Sequence, residues 1–399
     1  MSGAKVVVAG LVSAGVVVWG SRCIAGESKY WAYPQILREK VDEVWQLIYR
    51  SYIGPGFDRR EWRKLRSEYL NRRYYSLAQV YEAAESMVKR INEPFSFLRP
   101  PWEKPAEEAE VEDISGFGFA WRREPGTGEL RVSHVHEGQA AVRGGIQVGD
   151  VLLAINGQEV TGLKDEDIVA LMGGSWGTDL NLTIGRGDQR LNVLLLRERR
   201  ASGTVSAALH QTAVAKVGYI CIAGFDRDTP YGTRRAIRWL EQEGVVGYIL
   251  DLRHNPGGAG FAAAFTADLW LPKGVLIYTI WERDEDSQRL VARHYRSLSR
   301  PLTNSPLVLL VNQHTISAAE NLALSLQDHR RAVVVGVPSF GKTWGQGYVL
   351  IGAGWVGVST SYTMTPKSRN MLPRRVIPDI LIQDPQQQLL HAIKLLTKS

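Results

Sequence analysis

Ser317 and Lys342 are the two side chains of this 399-residue sequence whose types and positions suit nucleophilic catalysis. The stretch "LVNQHTISAAENLALSLQDHRRAVVVG" is typical of a strand, a loop, a helix and a second strand, and Ser317 falls where the loop becomes the helix. A hydroxyl there lies at the positive end of the helix dipole, where local amides, including that of Ala318, could stabilise an oxyanion. A lone serine at this position is usually only a helix N-cap, so the hypothesis requires a base.

Histidine is a poor candidate for that base. His329 lies twelve residues beyond Ser317, which is about 18 Å along a helix. His314 is nearer, but no feature of the sequence assigns it a carboxylate partner, and we interpret His254, His314 and His329 as structural. Lysine is the known alternative base for an activated serine, and Lys342 follows Ser317 by 25 residues.

Lys342 also belongs to a second pattern, because "GVPSFGKT" (residues 336–343) fits the phosphate-binding motif G-x-x-x-x-G-K-[ST]. A phosphate cradle needs a helix directly after the loop. The sequence continues "TWGQGYVLIGAGWVGVST", whose glycines among β-branched and aromatic residues predict strands. Pro338 also removes one N–H from the loop. The context therefore argues against nucleotide binding.

A lysine amine can take a proton from serine near neutral pH only if its pKa falls by roughly three units from about 10.4. That shift costs around 4 kcal/mol. Burial among apolar neighbours such as Phe340 and Trp344 could supply it, and Gln346 could orient the amine without adding charge. We therefore predict that Ser317, Lys342 and Gln346 form the catalytic set.

The N-terminus predicts an export segment. Lys5 precedes "VVVAGLVSAGVVVWG", an apolar run that is short for a membrane span of about 20 residues and suits a secretory signal. Cleavage is expected after Ala25, and an uncleaved anchor is the alternative. We interpret residues 1–25 as a signal peptide or anchor. The remainder is expected outside the cytoplasm, in a periplasm or thylakoid lumen, with peripheral or N-terminal membrane association left open.

The composition is that of an ordinary globular protein, with 44% hydrophobic and 22% charged residues. The net charge of +7 is spread along the chain, and its densest run, residues 58–73, interleaves acids with bases, so we expect no nucleic-acid partner. The two cysteines, Cys23 and Cys221, provide no disulfide framework or zinc site, and Cys221 falls in an apolar run typical of a buried thiol. We expect neither a cofactor nor a metal.

Residues 26–112 predict helices between about 34 and 98, followed by a linker rich in proline and acids. Residues 113–200 change to short strands and glycine turns. This second region resembles a PDZ domain in "GFGF", "GQAAVRGGIQVGDVLLAING" and "GTDLNLTI". The resemblance implies that backbone N–H groups of the first motif bind the terminal carboxylate of a peptide, which adds a strand beside it. The residues assigned to this loop are Gly116, Phe117, Gly118 and Phe119.

Residues 201–399 contain apolar runs such as "VGYILDLR" and "LVLLVN" that alternate with helical patterns, which predicts an α/β layered domain with a C-terminal helix. Residues 218–380 resemble the carboxyl-terminal processing peptidases, also called tail-specific proteases. The motifs that carry this likeness are "DLRHNPGG", "VNQHTISAAE", "LQDHRRAVVVG", "FGKTWGQ", "TMTPKSR" and "VIPDI". The order of signal, helical segment, PDZ domain and α/β core also matches that family.

The resemblance implies that Ser317 is the nucleophile, Lys342 the base and Gln346 the family's glutamine, all at the family's spacing. It assigns an oxyanion amide to Gly257, with Gly258 as the alternative. The second oxyanion donor is the Ala318 amide proposed above.

Two positions depart from the family, which commonly has serine at the position of Ala319 and glycine at the position of Thr343. Neither change touches the predicted dyad. We therefore expect a multidomain α+β protein with an N-terminal helical segment, a PDZ β-domain and a ClpP/crotonase-like α/β core. The expected function is cleavage of protein substrates near the C-terminus, with the PDZ domain binding the substrate tail. The alternative is a catalytically inactive peptide-binding protein of the PDZ type.

Overall fold

The computed structural model describes residues 34–54, 56–100, 117–124, 126–135, 139–173, 178–197, 199–200, 203–284, 287–352, 354–368 and 374–398. The predicted signal or anchor over residues 1–25, most of the proline-rich linker and Gly116 lie outside the described residues. The side chain of Cys221 is buried, as predicted. Within the described ranges, no helix has both the length and the apolar character that crossing a bilayer requires.

Three helices begin the described chain, as the spacing of their apolar residues predicts. They are α1 (Pro34–Ser51), α2 (Arg59–Leu70) and α3 (Leu77–Ile91). Their apolar faces pack on one another and on Val349 and Val358 of a sheet formed much later in the chain. A short strand, β1 (Phe97–Arg99), pairs antiparallel with that sheet. The helical region is therefore joined to the core by both side-chain packing and backbone hydrogen bonds.

The next part of the chain forms a six-stranded antiparallel sheet with two short helices, as the strand and turn pattern predicts. Its elements are β2 (Phe119–Arg123), β3 (Leu130–Val135), α4 (Ala140–Arg143), β4 (Val151–Ile155), β5 (Gln158–Glu159), α5 (Asp165–Met172), β6 (Asp179–Arg186) and β7 (Gln189–Leu196). The strand order is β2-β3-β4-β6-β7, with β5 paired to β4. Asn156 and Gly157 have φ values of 50° and 83° and form the predicted hairpin turn between β4 and β5. We call this sheet and its helices the middle domain.

The remaining chain alternates strands with helices, as its apolar runs predict. Its first elements are β8 (Arg199–Arg200), β9 (Val205–Gln211), β10 (Lys216–Ile222), α6 (Thr229–Gln242), β11 (Tyr248–Asp251), α7 (Gly260–Asp268), β12 (Leu276–Arg283), β13 (Leu290–Arg296) and β14 (Leu307–Val311). Its last elements are α8 (Ala318–Asp328), β15 (Val333–Gly336), β16 (Trp344–Ile351), β17 (Gly354–Met364), β18 (Ile380–Leu381) and α9 (Pro385–Thr397).

A seven-stranded sheet with the order β18-β15-β14-β11-β10-β9-β8 is the centre of this layered core. Five of its strands run parallel to one another: β10, β11, β14, β15 and β18. Both faces of the sheet are covered. The helices α6, α7 and α8 pack on one face, and α9 packs on the other. Strands buried on both faces explain why β14 reads as a continuous apolar run rather than an alternating one.

A second sheet has the order β1-β17-β12-β13, with β16 paired to β17. The strands β16 and β17 are the elements that come after Lys342, so the glycine-rich sequence beyond that lysine forms an antiparallel pair, as predicted. A phosphate-binding loop would need a helix in the place of β16. The argument against a nucleotide site rested on the prediction that strands, not a helix, follow Lys342, and that prediction is confirmed.

A buried polar cluster links the middle domain to the seven-stranded sheet. Arg143 of α4 donates a hydrogen bond of 2.9 Å to the hydroxyl of Tyr219, which donates one of 2.7 Å to Asp251 at the end of β11. Arg253 forms a 2.6 Å ion pair with the same carboxylate. Burial acts to raise the pKa of Asp251, but the charge of Arg253 and these hydrogen bonds lower it overall. The cluster fixes the chain directly before the loop at residues 254–258.

Candidate active site

Ser317 lies between the buried strand β14 and the helix α8, where the sequence places it. It is the N-cap residue of α8, and its φ of 58° and ψ of −116° are unusual for a residue with a side chain. Backbone strain of this kind costs about 1–3 kcal/mol and persists only where the surrounding structure holds it in place. The local structure therefore fixes Ser317 at the amino end of a helix.

Gly257 is one of the neighbours that pack against this strained residue. It has a φ of 97°, and a Cβ added to it would lie 2.8 Å from the Cβ of Ser317 and 2.8 Å from the carbonyl oxygen of Ile316. Only glycine fits a position with both that backbone conformation and that approach. The amide of Ile316 in turn donates to the carbonyl of Asn255, so the loop at residues 254–258 lies directly on the segment that carries Ser317.

The predicted oxyanion donors differ in what their N–H groups already bind. The Gly257 N–H donates a 2.8 Å hydrogen bond to Oδ1 of Asn255. For Gly258 and Ala318, the described part of the chain supplies no acceptor to the backbone N–H. Gly258 is also exposed, whereas Gly257 is buried. The amide of Gly257 must therefore release or share its bond with Asn255 before it can bind an oxyanion, and the amides of Gly258 and Ala318 need not.

Lys342 lies on the loop between β15 and β16, half-buried. Its Nζ donates a 2.9 Å hydrogen bond to Oε1 of Gln346 and lies 6.0 Å from the centre of the Phe95 ring. No direct hydrogen bond joins this amine to the hydroxyl of Ser317 among the described residues. Burial lowers the pKa of Lys342, and the charges of Glu93 and Glu320 oppose that change. The direction of this shift is the one that a lysine base requires.

Gln346 is held at both ends of its side-chain amide. Its Oε1 accepts from Lys342 and, at 3.2 Å, from the hydroxyl of Tyr348. Its Nε2 donates to the backbone carbonyl of Phe95. The structure therefore brings Lys342 and Gln346 together as predicted and adds Phe95 from the N-terminal region, a contact that no sequence pattern indicates.

Glu320 is a residue of this site that we did not predict from the sequence. Its carboxylate is fully buried, with 0% exposure, and it accepts 2.8 Å hydrogen bonds from the backbone N–H groups of Ser317 and Lys342. It also accepts from the N–H of Gly341 and the hydroxyl of Ser339. One side chain thus binds both the serine segment and the lysine loop.

Burial raises the pKa of Glu320, and these four hydrogen bonds offset only part of that effect. The signal that could have identified this residue is the sequence S-x-x-E, in which the fourth residue accepts from the N–H of the N-cap residue. That pattern, however, accounts only for the bond to Ser317. The three bonds to the lysine loop are long-range contacts.

His254 and His314 lie on the two loops that flank Ser317. Their rings are stacked, with centres 5.0 Å apart and an interplanar angle of 20°. Both backbone N–H groups donate to Oδ1 of Asn312, which fixes the loops to each other. Burial and the proximity of His314 lower the pKa of His254 to about 4. The stacked rings and the shared bond to Asn312 are consistent with the structural role predicted for these residues.

The predicted peptide-binding loop lies at the start of β2. Phe117 and Phe119 have buried side chains in the core of the middle domain. Gly118 has a φ of 87°, and a Cβ added there would lie 1.9 Å from Cβ of Gln139. The backbone, rather than these side chains, is therefore the part that could bind a peptide. Gly116 lies outside the described residues.

We predict that Glu320→Gln loosens the lysine loop. The glutamine amide has only one oxygen, so buried N–H groups of the serine segment or the lysine loop lose their acceptor, at about 1–3 kcal/mol each. Hydrogen-exchange mass spectrometry should show faster exchange of the Gly341 and Lys342 amides, together with a lower melting temperature. Ser339→Ala removes one donor to Glu320 and the acceptor of the Val376 N–H but leaves the acceptors of the Gly341 and Lys342 amides in place, so it serves as the control in which exchange of those two amides changes less. Exchange at the wild-type rate in Glu320→Gln would contradict this role of the carboxylate.

A second prediction concerns pH. His254 titrates near 4 in the folded protein, below its ordinary value of about 6.5, so the unfolded chain takes up this proton first. The stability contributed by the neutral ring is therefore complete above about pH 6.5 and is lost as the pH falls towards 4. The NMR signals of the histidine ring protons should include one with a midpoint near 4. In His314→Gln that midpoint should rise; an unchanged midpoint would refute the coupling between the two rings.

The described residues contain no group of three or more His, Cys, Asp or Glu side chains that could hold a metal ion. A family model described as Peptidase family S41 matches residues 216–382, and a PDZ domain model matches residues 110–185. The first match contains Ser317, Lys342 and Gln346.

Related proteins match over most of the chain. The carboxyl-terminal-processing protease of Synechocystis sp. is 31% identical over 349 residues, covering 86% of this chain and 80% of that protein. The protease of the same name from Picosynechococcus sp. is 30% identical over 356 residues, covering 88% and 84%. The solved structure of a photosystem II D1 C-terminal processing protease is 25% identical, with a TM-score of 0.53, and the match covers 90% of this chain and 97% of that one. With these relatives matched over more than four fifths of the chain, the chain belongs to peptidase family S41 and is a serine-type peptidase of the carboxyl-terminal-processing group.

Proposed function

We propose that this protein is an exported endopeptidase that uses a Ser317–Lys342 dyad to cleave protein substrates near their C-terminus. The observation that carries this proposal is the position of Lys342, a half-buried amine bound to Gln346 on a loop that Glu320 ties to the amide of Ser317. An amine in such surroundings is more easily deprotonated than a solvated one. This is the direction of change that a lysine base requires.

In the proposed first step, the hydroxyl oxygen of Ser317 attacks the scissile carbonyl carbon while its proton passes to Nζ of Lys342. The carbonyl oxygen becomes an oxyanion, which binds the amides of Ala318 and Gly257, with Gly258 as the alternative to Gly257. Lys342 then returns the proton to the leaving amine, and the peptide bond breaks. A water molecule hydrolyses the acyl-enzyme with Lys342 again as the base.

In the structure the Lys342 amine is bound to Gln346 rather than to Ser317, so the amine must move before the first step. The amine donates to Oε1 of Gln346, and it has to reach the hydroxyl of Ser317. Rotation of the lysine side chain would provide that contact while the loop keeps its hydrogen bonds to Glu320.

The PDZ domain would bind the C-terminal tail of the substrate through the backbone of the loop that contains Phe117, Gly118 and Phe119, with Gly116 included from the sequence. We keep residues 26–112, 113–200 and 201–399 as the proposed domain boundaries. Export to a periplasm or thylakoid lumen agrees with the apolar N-terminal run and with the cyanobacterial relatives. An inactive peptide-binding protein is not favoured, because Ser317, Lys342 and Gln346 are all retained.

The dyad is tested with a fluorophosphonate label and with tail peptides, including the C-terminal extension of the photosystem II D1 protein named for the solved relative. Ser317→Ala should abolish labelling and cleavage. Lys342→Ala should lower both by about 10²–10⁴-fold, the usual contribution of a general base. Lys342→Arg should be equally impaired, because a guanidinium cannot be deprotonated in this setting. The exposed Lys367 provides the control variant, Lys367→Ala, which should keep wild-type activity. Equal turnover by all variants would rule out the dyad.

Tail binding is tested by changing the substrate rather than the enzyme. Amidation of the peptide C-terminus removes the negative charge that backbone N–H groups would bind, and hydrogen bonds to a charged group contribute about 1.5–3 kcal/mol. We expect KM to rise about 10- to 100-fold with little change in kcat, because this contact is remote from the reacting atoms. A peptide with an internal Glu→Gln change controls for the loss of charge. The same KM for free and amidated tails would disprove carboxylate recognition.

A further inference from the structure

The segment at residues 93–96 joins helix α3 to strand β1 and reaches the proposed catalytic lysine from the N-terminal region. The backbone carbonyl of Phe95 accepts the hydrogen bond from Nε2 of Gln346. Its ring lies 6.0 Å from Nζ of Lys342. The same ring contacts Phe340 at 6.5 Å and Trp344 at 6.2 Å between centres. Aromatic rings from two distant parts of the chain therefore surround the lysine loop.

Glu93 fixes the conformation of this segment. Its carboxylate accepts a 2.7 Å hydrogen bond from the N–H of Phe95 and one of 2.6 Å from the hydroxyl of Ser96. It also accepts at 3.0 Å from the hydroxyl of Ser359 in β17, and the N–H of Ser359 donates to the hydroxyl of Ser96. The adjoining pairing of β1 with β17 continues the attachment. The position of Phe95 against Lys342 is thus set by bonds to the core sheet.

The two side chains act on Lys342 in opposite directions. At 6.0 Å, the limit of a cation–π contact, the Phe95 ring acts on the amine chiefly as apolar surface; burial of the amine disfavours the ammonium form, whereas the carboxylate of Glu93 favours it. The other charged groups that act on this amine are Glu320, which favours the ammonium, and Arg99, which opposes it. The Tyr348 hydroxyl reaches the site through Gln346, and burial raises its pKa, so it stays neutral.

We infer that Phe95 and Glu93 are positioning residues for the lysine base. Phe95 forms one wall of the lysine pocket, the space around the amine that Phe340 and Trp344 also border, and it holds Gln346. Glu93 holds Phe95 in place, and its negative charge limits how strongly burial disfavours the ammonium form. This inference rests on the proposed function of Lys342. It assigns the N-terminal helical region a part in catalysis, because that region supplies a wall of the pocket that the peptidase core does not complete by itself.

A purely structural role for the segment makes a different prediction. Removal of Phe95 would then lower stability and the amount of active enzyme, and the pH dependence of the remaining activity would stay the same. A positioning role changes the pKa of Lys342 and therefore moves the acid limb of the profile of kcat/KM against pH. The two roles are distinguished by the position of that limb rather than by the level of activity.

The test measures kcat/KM and fluorophosphonate labelling between pH 5 and 10 for wild type, Phe95→Ala and Glu93→Gln. Phe95→Ala admits water to the amine, so the acid limb should shift to higher pH, by on the order of one unit, with about a tenfold loss at neutral pH that recovers in alkali. Glu93→Gln removes a negative charge and should shift the limb to lower pH. Phe95→Tyr keeps the ring and should restore the wild-type position.

The matched control is Phe57→Ala, which removes an aromatic side chain of the same N-terminal region that packs on Tyr52 and Trp62, at 5.1 and 5.5 Å between ring centres. It should lower the melting temperature and leave the limb in place. If Phe95→Ala does not fold, the isosteric Glu93→Gln still decides the question. The inference would be overturned if the acid limb stayed at the wild-type pH in both Phe95→Ala and Glu93→Gln, or if it shifted in the same direction in both. In either case Lys342→Ala would still be inactive, so the proposed function would stand. Full activity of Lys342→Ala would instead refute the proposed function itself.

Discussion

The buried carboxylate of Glu320 is the interaction on which the geometry of the site depends. Burial of a carboxylate is costly unless hydrogen bonds satisfy it, and here four donors do so. One donor is the N–H of Ser317, and the other three belong to Ser339, Gly341 and Lys342 of the lysine loop. The two segments are separated by the whole of α8 and β15, so neither could fix the other through local backbone structure. A single buried side chain therefore sets their relation.

Three separate parts of the chain complete the surroundings of Lys342. The loop itself contributes Phe340 and Trp344, the strand β16 contributes Gln346, and the N-terminal region contributes Phe95. The contact with Phe95 depends on the pairing of β1 with β17 and on the packing of α1 and α3 against β16 and β17. Apolar burial of the helices therefore positions the hydrogen bond between Gln346 and the Phe95 carbonyl, two residues some 250 positions apart in sequence. The lowered pKa of the amine is a property of this assembly rather than of the loop sequence.

Sequence patterns predicted the parts of the site that depend on the secondary structure of neighbouring residues. Ser317 follows a buried strand and begins a helix, and glycine density after Lys342 predicted strands rather than a helix, both as observed. The pairing of Lys342 with Gln346, four residues apart on a loop and strand, was predicted as well. Phe95 and the lysine-loop bonds of Glu320 could not be, because they arise from strand pairing and burial between distant segments, which leave no periodic signal in the sequence. The bond from Gly257 to Asn255 is a further contact that only the folded backbone defines.

Some parts of the site are held by packing and hydrogen bonds, and others are left able to move. Ser317 has a strained backbone enclosed by the approach of Gly257, the lysine loop is bound through backbone N–H groups to Glu320, and Gln346 is held at both ends. The side chain of Lys342, with several rotatable bonds, is the part of the proposed dyad that these bonds leave adjustable. Its single hydrogen bond to Gln346 contributes about 1.5–3 kcal/mol at most. Under the proposed mechanism, the lysine side chain turns from this contact towards Ser317, and side-chain rotation occurs far faster than the rearrangement of a loop or domain. Under the same mechanism, the backbone of the site is largely preorganised, and the changes it requires are a movement of the lysine side chain and, where Gly257 binds the oxyanion, the release or sharing of its bond with Asn255.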